Sequence, residues 1–403
     1  MRILEINSVY KEGSTGKIVA CICDELIAHG YEVVACYGNG KPYYDDHSIK
    51  VCSALEHNFN ALLGRVAGIP FGGFYFSNRR VEKVIRSFNP DIVHVHCVNG
   101  YMINVYSLLK YLAKNRFKTI LTLHAEIFHT AGCEHAFDCN KWKSQCRNCE
   151  YYRQSVGSWF FDRSKTSWQK MFDALNTFNV NDLKVTAVSP WLAGRVKQST
   201  IMKRYQVDCV LNGLDTSIFH YKDNVGMIDR RGYEKTVLFV TPYFGLEDND
   251  IKGGRYIPAL SRALPNYKFV IVASKQSESI EGLSRNIQIW GRAKNQEELA
   301  QLYSEADVTI MLSRRETFSM VTAESLCCGT PVVGFKAGGP ESIAIKDYCG
   351  FVEYGDIPTL VTCLESLLKQ KFEKKKISNL AISSFGAETM YRDYYNIYKT
   401  FLK

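Results

Sequence analysis

No run of roughly 18 consecutive apolar residues occurs in this chain of 403 residues, and no basic segment followed by a long apolar one opens it. The N-terminal "MRILEINS" runs directly into a short apolar strand. Both absences argue against a membrane-spanning helix and a secretory leader, so the protein is expected to be soluble, unexported and cytoplasmic. Short-period repeats and low-complexity segments are missing too, and 46% hydrophobic with 23% charged residues is a balance that fills globular cores. There is also no basic stripe interleaved with aromatics. The formal charge of +9 comes from scattered Lys and Arg, apart from the short run Lys374 to Lys376, which reads as a solvated helix face. Such charge is compatible with an anionic membrane surface or a phosphorylated small molecule, and nucleic acid is not expected as a partner.

What is present includes 14 cysteines. Several stand alone inside apolar segments, among them Cys23, Cys36, Cys209 and Cys363. This usage fits a reducing compartment and small buried apolar groups better than a disulfide framework.

The first forty residues read as strand ("RILEIN"), polar glycine-containing loop ("EGSTGK"), helix ("IVACICDELIAHG") and strand ("YEVVACYG"), a βαβ unit. Ile18, Ile22 and Leu26 carry the helical period, and Gly30 is placed as the C-terminal cap. Strands are expected again at "DIVHVHC", "KTILTLH", "KVTAVS" and "DCVLNG". After Asn212-Gly213 the pattern restarts with "TVLFVT", "KFVIVAS", "IQIWG", "VTIMLS" and "TPVVGF", interleaved with helices such as "NQEELAQLYSEA". This alternation implies an α/β chain with two doubly wound, Rossmann-like domains, whose parallel sheets are covered on both faces and whose ligands bind beyond the carboxyl ends of the strands. "TSIFHYKDNVGMIDRRGYEK" is the linker candidate, and the two domains are expected to face a central cleft.

In "RRETFSMVTAESLCCGTPVVGF" two glutamates punctuate an otherwise apolar segment: Glu316 before a helix and Glu324 inside it. A helix N-terminus at the end of the strand "VTIMLS" is an anion site, because unpaired backbone N–H groups and the helix dipole point at it. If a nucleotide diphosphate sits there, Glu324 is placed for ribose hydroxyls and Glu316 for hydroxyls on whatever the diphosphate carries.

The stretch "ELAQLYSEADVTIMLSRRETFSMVTAESLCCGTPVVGFKAGGPESI", with "GSTGK", "PDIVHVHCVNG", "TLH", "AVSPWLAGRV", "LNGLDTSIF", "IKGG" and "FGAETMYRDYYNIYKTFL", resembles the nucleotide-sugar-dependent glycosyltransferases of the GT-B fold, family 4 of the retaining class. The resemblance covers nearly the whole chain and is nearest to enzymes of bacterial exopolysaccharide, capsule or O-antigen synthesis. It implies an N-terminal acceptor-side domain (1–215), a C-terminal nucleotide-sugar-binding domain (216–385) and a terminal helix (386–403) returning to the first domain. It also implies roles for particular residues. Glu316 would contact donor-sugar hydroxyls, the backbone of Phe318 and Ser319 the diphosphate, and Glu324 the ribose. Lys252 would neutralise the departing diphosphate, Gly13 and Gly16 would bring backbone close to donor and acceptor, and His124 would stabilise the reacting sugar without acting as a base. The arginine that the family supplies before this lysine is absent from "VTPYFGLEDND"; Arg255, Arg292 and Arg314 are the candidates to replace it. No metal is implied for catalysis. His94 and His96 in "DIVHVHC" are assigned to opposite sheet faces, His96 toward the cleft and His94 into packing.

The insertion at about 129–150, "HTAGCEHAFDCNKWKSQCRNCE", interrupts the α/β rhythm with Cys133, Cys139, Cys146 and Cys149. Four thiols in one loop point to structural zinc, with reduced packed thiols as the second reading and disulfides the third; His129 and His135 are substitutes in the ligand set. The expected function is transfer of a sugar from a UDP- or GDP-sugar to a glycan or lipid-linked glycan hydroxyl. Peripheral contact with the inner face of the plasma membrane is expected through "RVAGIPFGGFYFSNRR". The alternatives are a sugar-nucleotide-binding protein without transfer, which the missing arginine would fit, and a zinc-containing nucleic-acid-binding protein.

Overall fold

A computed structural model describes residues 1–223, 225–277 and 282–403, which form two compact units: Met1–Leu211 with Met390–Lys403, and Asn212–Thr389. In the first unit, β1 (Arg2–Asn7), β2 (Glu32–Tyr37), β3 (Ser48–Lys50), β4 (Ile92–Val95), β5 (Thr119–Leu123), β6 (Leu183–Ala187) and β7 (Val207–Cys209) make one sheet. Its order is β3-β2-β1-β4-β5-β6-β7, and every pairing is parallel. In the second, β8 (Lys235–Phe244), β9 (Tyr267–Gln276), β10 (Ile287–Gly291), β11 (Val308–Met311), β12 (Val332–Phe335) and β13 (Cys349–Val352) pair in parallel in the order β10-β9-β8-β11-β12-β13.

Both sheets read as continuous apolar runs because helices cover both faces: every residue of β4, β5, β11 and β12 is buried. The helix Gly13–Ala28 lays Ile18, Ile22 and Leu26 into the core, and Gly30 follows it at φ +80°, where a side chain would be strained. That helix begins at Gly13, so the glycines assigned to a loop lie in its first turn. The short edge strands β3 and β13 carry no long apolar run and are not among the strands read from the sequence.

The linker candidate is no free tether. Its Met227 and Ile228 N–H groups donate to the Glu305 carboxylate at 2.7 and 2.9 Å, Arg230 reaches Asp307 at 2.9 Å, and Phe219 is buried. These contacts tie the segment to the end of the helix Gln296–Glu305 inside the second unit; Asn224 lies outside the described residues. The last helix, Ala387–Phe401, buries Tyr391, Tyr394 and Tyr398, and from Met390 onward belongs to the first unit.

Strand order reverses between β1 and β4 in the first unit and between β8 and β11 in the second. Loops leaving the carboxyl ends of strands at such a reversal diverge and open a crevice, the general ligand position of doubly wound sheets. Gly13 and Gly16 stand in the first turn of the helix that follows β1, His96 directly follows β4, and the loops after β8 and β11 carry Lys252, Glu316 and Ser319.

Candidate active site

In the second unit, Lys252 and Glu316 meet: Nζ lies 2.6 Å from Oε1, with both side chains partly exposed. Local chemistry sets the lysine. The Asp250 carboxylate accepts from the N–H of Lys252 at 2.9 Å and of Gly254 at 3.1 Å, folding "DIKGG" into a tight turn. Gly253 stands at φ +81°, where an added Cβ would lie 2.2 Å from the Leu312 carbonyl oxygen, so only glycine lets this turn press against the end of β11. Arg314 N–H donates to the Ile251 carbonyl at 2.8 Å, locking the two loops together.

Glu316 is fixed by its backbone. Its N–H donates to Ala337 O at 3.1 Å and its carbonyl accepts from Gly339 N–H at 2.8 Å, beside Gly338 at φ +109°. A Cβ on Gly339 would lie 2.5 Å from Phe318 N, so the two loops pack backbone to backbone. Ser319 caps the helix Met320–Cys327 by accepting from Thr322 N–H at 3.2 Å, and it sits at φ +84°, ψ +88°. A non-glycine residue held there stores local strain, of the kind that clusters at binding sites. Further along, Glu324 Oε2 accepts from the Tyr303 hydroxyl at 3.0 Å, and burial with that carboxylate keeps the phenol well above its ordinary range, a neutral donor. Of the candidate arginines, Arg255 is engaged by Asp248 and by the Tyr256 and Tyr354 hydroxyls, while Arg292 and Arg314 are exposed.

In the first unit the assignment of His94 and His96 to opposite faces is wrong. Side chains alternate residue by residue along a strand, so positions two apart share a face. Both rings meet Glu5: His96 Nε2 lies 2.6 Å from Oε2 and His94 Nδ1 3.3 Å from Oε1, with all three side chains fully buried. His94 Nδ1 also lies 2.8 Å from Tyr398 Oη, and its Nε2 2.7 Å from Thr122 Oγ1. His96 Nδ1 lies 3.1 Å from His124 Nε2. Burial alone would raise the Glu5 carboxyl, but the two imidazoles outweigh it and hold it down at about 2. Burial lowers His96 to about 4, and burial with the neighbouring rings lowers His124 well below the ordinary range. His124 is partly exposed and, with Phe71, Asn99 and Phe128, lines a small recess at the ends of β4 and β5. Among the described residues, Glu5, His94 and His96 place ligand-type atoms within 4.8 Å of one another, and hydrogen bonds already engage every ring nitrogen of the two histidines. Glu5, Asp250, Gly253 and Tyr303 went unread in the sequence; a carboxylate inside the apolar "RILEIN" and an aspartate two residues before Lys252 were the available signals.

The cysteine insertion is anchored by Glu126. Its carboxylate accepts from Arg195 Nε at 2.5 Å and from Ala136 N–H at 2.8 Å; burial opposes its ionisation, but His129 and Arg195 keep it at about 2. His129 lies 3.4 Å from Glu126, against the buried ring of Trp142. Burial raises the Cys146 thiol most, and Cys133, Cys139 and Cys149 raise it further, so the four sulfurs share one neighbourhood. A closed zinc site, with Zn–S near 2.3 Å, needs sulfurs roughly 3.8 Å apart. Among the described residues no three of these thiols come within 4.8 Å of one another, so the donor set fits zinc and the spacing is wider than a closed site. Of the lone cysteines, Cys23 and Cys36 are buried, whereas Cys363 is half-buried and Cys209 exposed, the last against expectation.

Two parallel, doubly wound sheets are the two halves of the GT-B fold, and two family models place the chain among its glycosyltransferases. The profile described as Glycosyltransferase Family 4 matches residues 15–218, and that described as Glycosyl transferases group 1 matches residues 256–383. The chain belongs to glycosyltransferase family 4, retaining enzymes that use nucleotide-sugar donors. It is 22% identical over 340 residues to the N-acetyl-alpha-D-glucosaminyl L-malate synthase of Bacillus anthracis, covering 80% of this chain and 78% of that protein. A more local match, 28% identical over 167 residues, spans only 37% of the relative concerned. The fold is similar to that of sucrose-phosphate synthase from Thermosynechococcus elongatus, with TM-score 0.71, 15% identity and coverage of 99% of this chain and 98% of that one. It is also similar to that of Anabaena HepE in complex with UDP-glucose, with TM-score 0.64, 14% identity and coverage of 99% and 100%.

Proposed function

We propose that this protein transfers a sugar, with retention, from a UDP- or GDP-sugar to a hydroxyl of a glycan or lipid-linked glycan in bacterial surface polysaccharide synthesis. The observation that carries the reading is the contact of Lys252 with Glu316, a carboxylate three residues before the Ser319 cap of the helix Met320–Cys327. The UDP-glucose complex of HepE supports a uridine donor. In the reaction the bond between the anomeric carbon and the diphosphate breaks, the acceptor oxygen bonds to that carbon on the same face, and the acceptor's proton passes to the departing phosphate oxygen. Lys252 and the backbone N–H groups near Phe318 and Ser319 hold the charge that develops on the phosphate, a task that electrostatic preorganisation performs without a metal. Glu316 binds donor-sugar hydroxyls, Glu324 the ribose, and His124 lies at the donor sugar, with Gly13 and Gly16 allowing close backbone approach. A thermal-shift panel of sugar nucleotides, followed by turnover of the one that stabilises, tests this; stabilisation without turnover in the presence of glycan acceptors would favour the binding-only alternative.

Two accessory roles belong to the same reading. Cys133, Cys139, Cys146 and Cys149 share one neighbourhood at a spacing wider than a closed site, and binding of one structural zinc would draw the four thiols together into a tetrahedral set. Protein purified without added zinc should carry close to one equivalent, lost in a Cys146→Ser, Cys149→Ser variant; a metal-free, folded and active wild type would make the thiols packing residues. The protein works at the cytoplasmic face of the membrane through its first unit. Leu55, Phe59, Leu62 and Val66 form one exposed stripe on the helix Ala54–Ala67, with Phe74 and Phe76 exposed nearby. No described helix is long and apolar enough to cross a membrane. Failure to sediment with anionic vesicles at low salt would remove this part.

A further inference from the structure

Three consecutive aromatic residues of the first unit, Trp159, Phe160 and Phe161, stand 47%, 61% and 50% exposed, although side chains of this kind gain most from leaving water. We propose that this turn inserts into the surface of an anionic bilayer, and that the cysteine-bearing insertion, which it follows in the chain, serves to hold it in place. This rests on the reading of the first unit as membrane-bound and adds to it a second contacting element beside the helix Ala54–Ala67.

Ser158 is buried and its hydroxyl donates to the Phe161 carbonyl at 2.7 Å, closing a four-residue turn with the serine inside and the three rings outside. Successive ring centroids lie 6.3 Å apart, so the rings make one apolar patch. Trp159 N–H donates to the Arg65 carbonyl at 2.8 Å, and a Cβ on Gly68, at φ +72°, would lie 2.7 Å from the Phe161 carbonyl oxygen. The turn therefore presses backbone to backbone on the C-terminal end of the helix Ala54–Ala67, where Leu62 and Val66 of the exposed stripe lie. From the other side the Asp162 carboxylate accepts from the N–H of Cys149 at 2.7 Å and of Ser164 at 2.9 Å, which fastens the turn to the cysteine insertion. Backbone ties on both sides hold the rings out. Exposed Arg65, Arg153, Arg163 and Lys165 flank the turn along the chain and across its tie to the helix, and Arg163 lies over the Phe161 ring at 5.4 Å. Of the neighbouring carboxylates, Asp162 is occupied by backbone N–H groups and Glu150 is paired with Lys141. Aromatic rings flanked by cations match the headgroup region of an anionic bilayer, where rings rest at the boundary and Lys or Arg meet lipid phosphates. A second copy of the chain docked there about a two-fold axis would set the same cations against each other, so like charge opposes self-association through this patch.

Vesicles of phosphatidylglycerol and phosphatidylcholine, with and without brominated acyl chains that quench nearby indoles, test this on the full chain. Trp159→Phe keeps the apolar character and removes one reporter, so vesicle-bound wild type should show quenching that the variant lacks. Equal quenching in the two, with both bound, leaves the turn in water and overturns the proposal while the helix Ala54–Ala67 still carries the membrane reading. A wild type that binds no vesicles at low salt removes both. Replacing all three rings by serine should weaken vesicle binding on the order of a hundredfold with Tm little changed, because three partly inserted aromatic side chains are lost from a surface turn. Binding equal to wild type overturns the proposal as well. Asp162→Ala tests the part played by the insertion. Loss of this carboxylate makes the surface more cationic and by charge alone would strengthen binding to anionic lipid, so weaker quenching of Trp159 is expected only where the tie to Cys149 holds the turn in place. Quenching as strong as in the wild type overturns that role of the insertion.

Discussion

The two strand-order reversals hold their polar groups in opposite ways. In the first unit, side chains hold side chains: Glu5, His94 and His96 are fully buried and linked to Thr122, His124 and Tyr398. In the second, backbone holds backbone, through the close approach of Gly253 to Leu312 and of Gly339 to Phe318, and the charged pair it presents stays partly exposed. A buried network is rigid and sensitive to proton balance, because each unmatched polar atom in low dielectric is costly. A backbone cradle leaves its side chains free to exchange partners, and under the proposed function Lys252 and Glu316 would trade their mutual contact for phosphate and sugar. The first arrangement suits orienting one ring, and the second suits capturing and releasing a charged ligand.

The largest expected effect breaks the second arrangement. Lys252→Ala and Glu316→Gln should each lower turnover by on the order of tenfold to a thousandfold, the range for losing one preorganised charge, with thermal stability nearly intact because the pair is partly exposed. Steady-state kinetics with the identified donor checks this, and wild-type rates in both variants would remove the pair from the chemistry.

The first arrangement should instead answer to pH. Burial keeps His96 neutral down to about 4, against an ordinary 6.5, so the unfolded chain takes up a proton that the folded one refuses, and stability declines as pH falls through that window. Glu5, depressed from 4.5 to about 2, adds a further loss across that lower range. Urea titrations between pH 7 and 4 should show the decline and should show it flattened in His96→Gln; equal slopes in both proteins would separate acid lability from this network.

Smaller still, Glu324→Ala should raise donor KM with kcat nearly kept, since ribose contacts differ little between ground and transition states. Loss of kcat without change in KM would move Glu324 from binding to chemistry.

How much of this was legible follows from where each signal lives. The parallel strands were readable because strands buried on both faces leave apolar runs, and β3 and β13 escaped because "SIK" and "CGFV" are too short to form one. The helix start at Ser319 with Glu316 before it and Glu324 inside it was readable because all three lie within one helix and its preceding loop. The pairing of His94 with His96 was within reach of the sequence and was missed by miscounting a period of two.

By itself, then, the sequence determined the class of protein, the α/β order and the charged residues around the helix at Ser319, since these depend on neighbours along the chain. Only the tertiary structure decided that Glu5 bonds a histidine 91 residues away, that Tyr398 reaches His94 across 304, and that four cysteines in one loop stand near one another but short of ligand spacing. Those contacts depend on which strands become neighbours and on where the last helix docks, and strand order is set by the packing of the whole unit, which no local pattern of residues encodes.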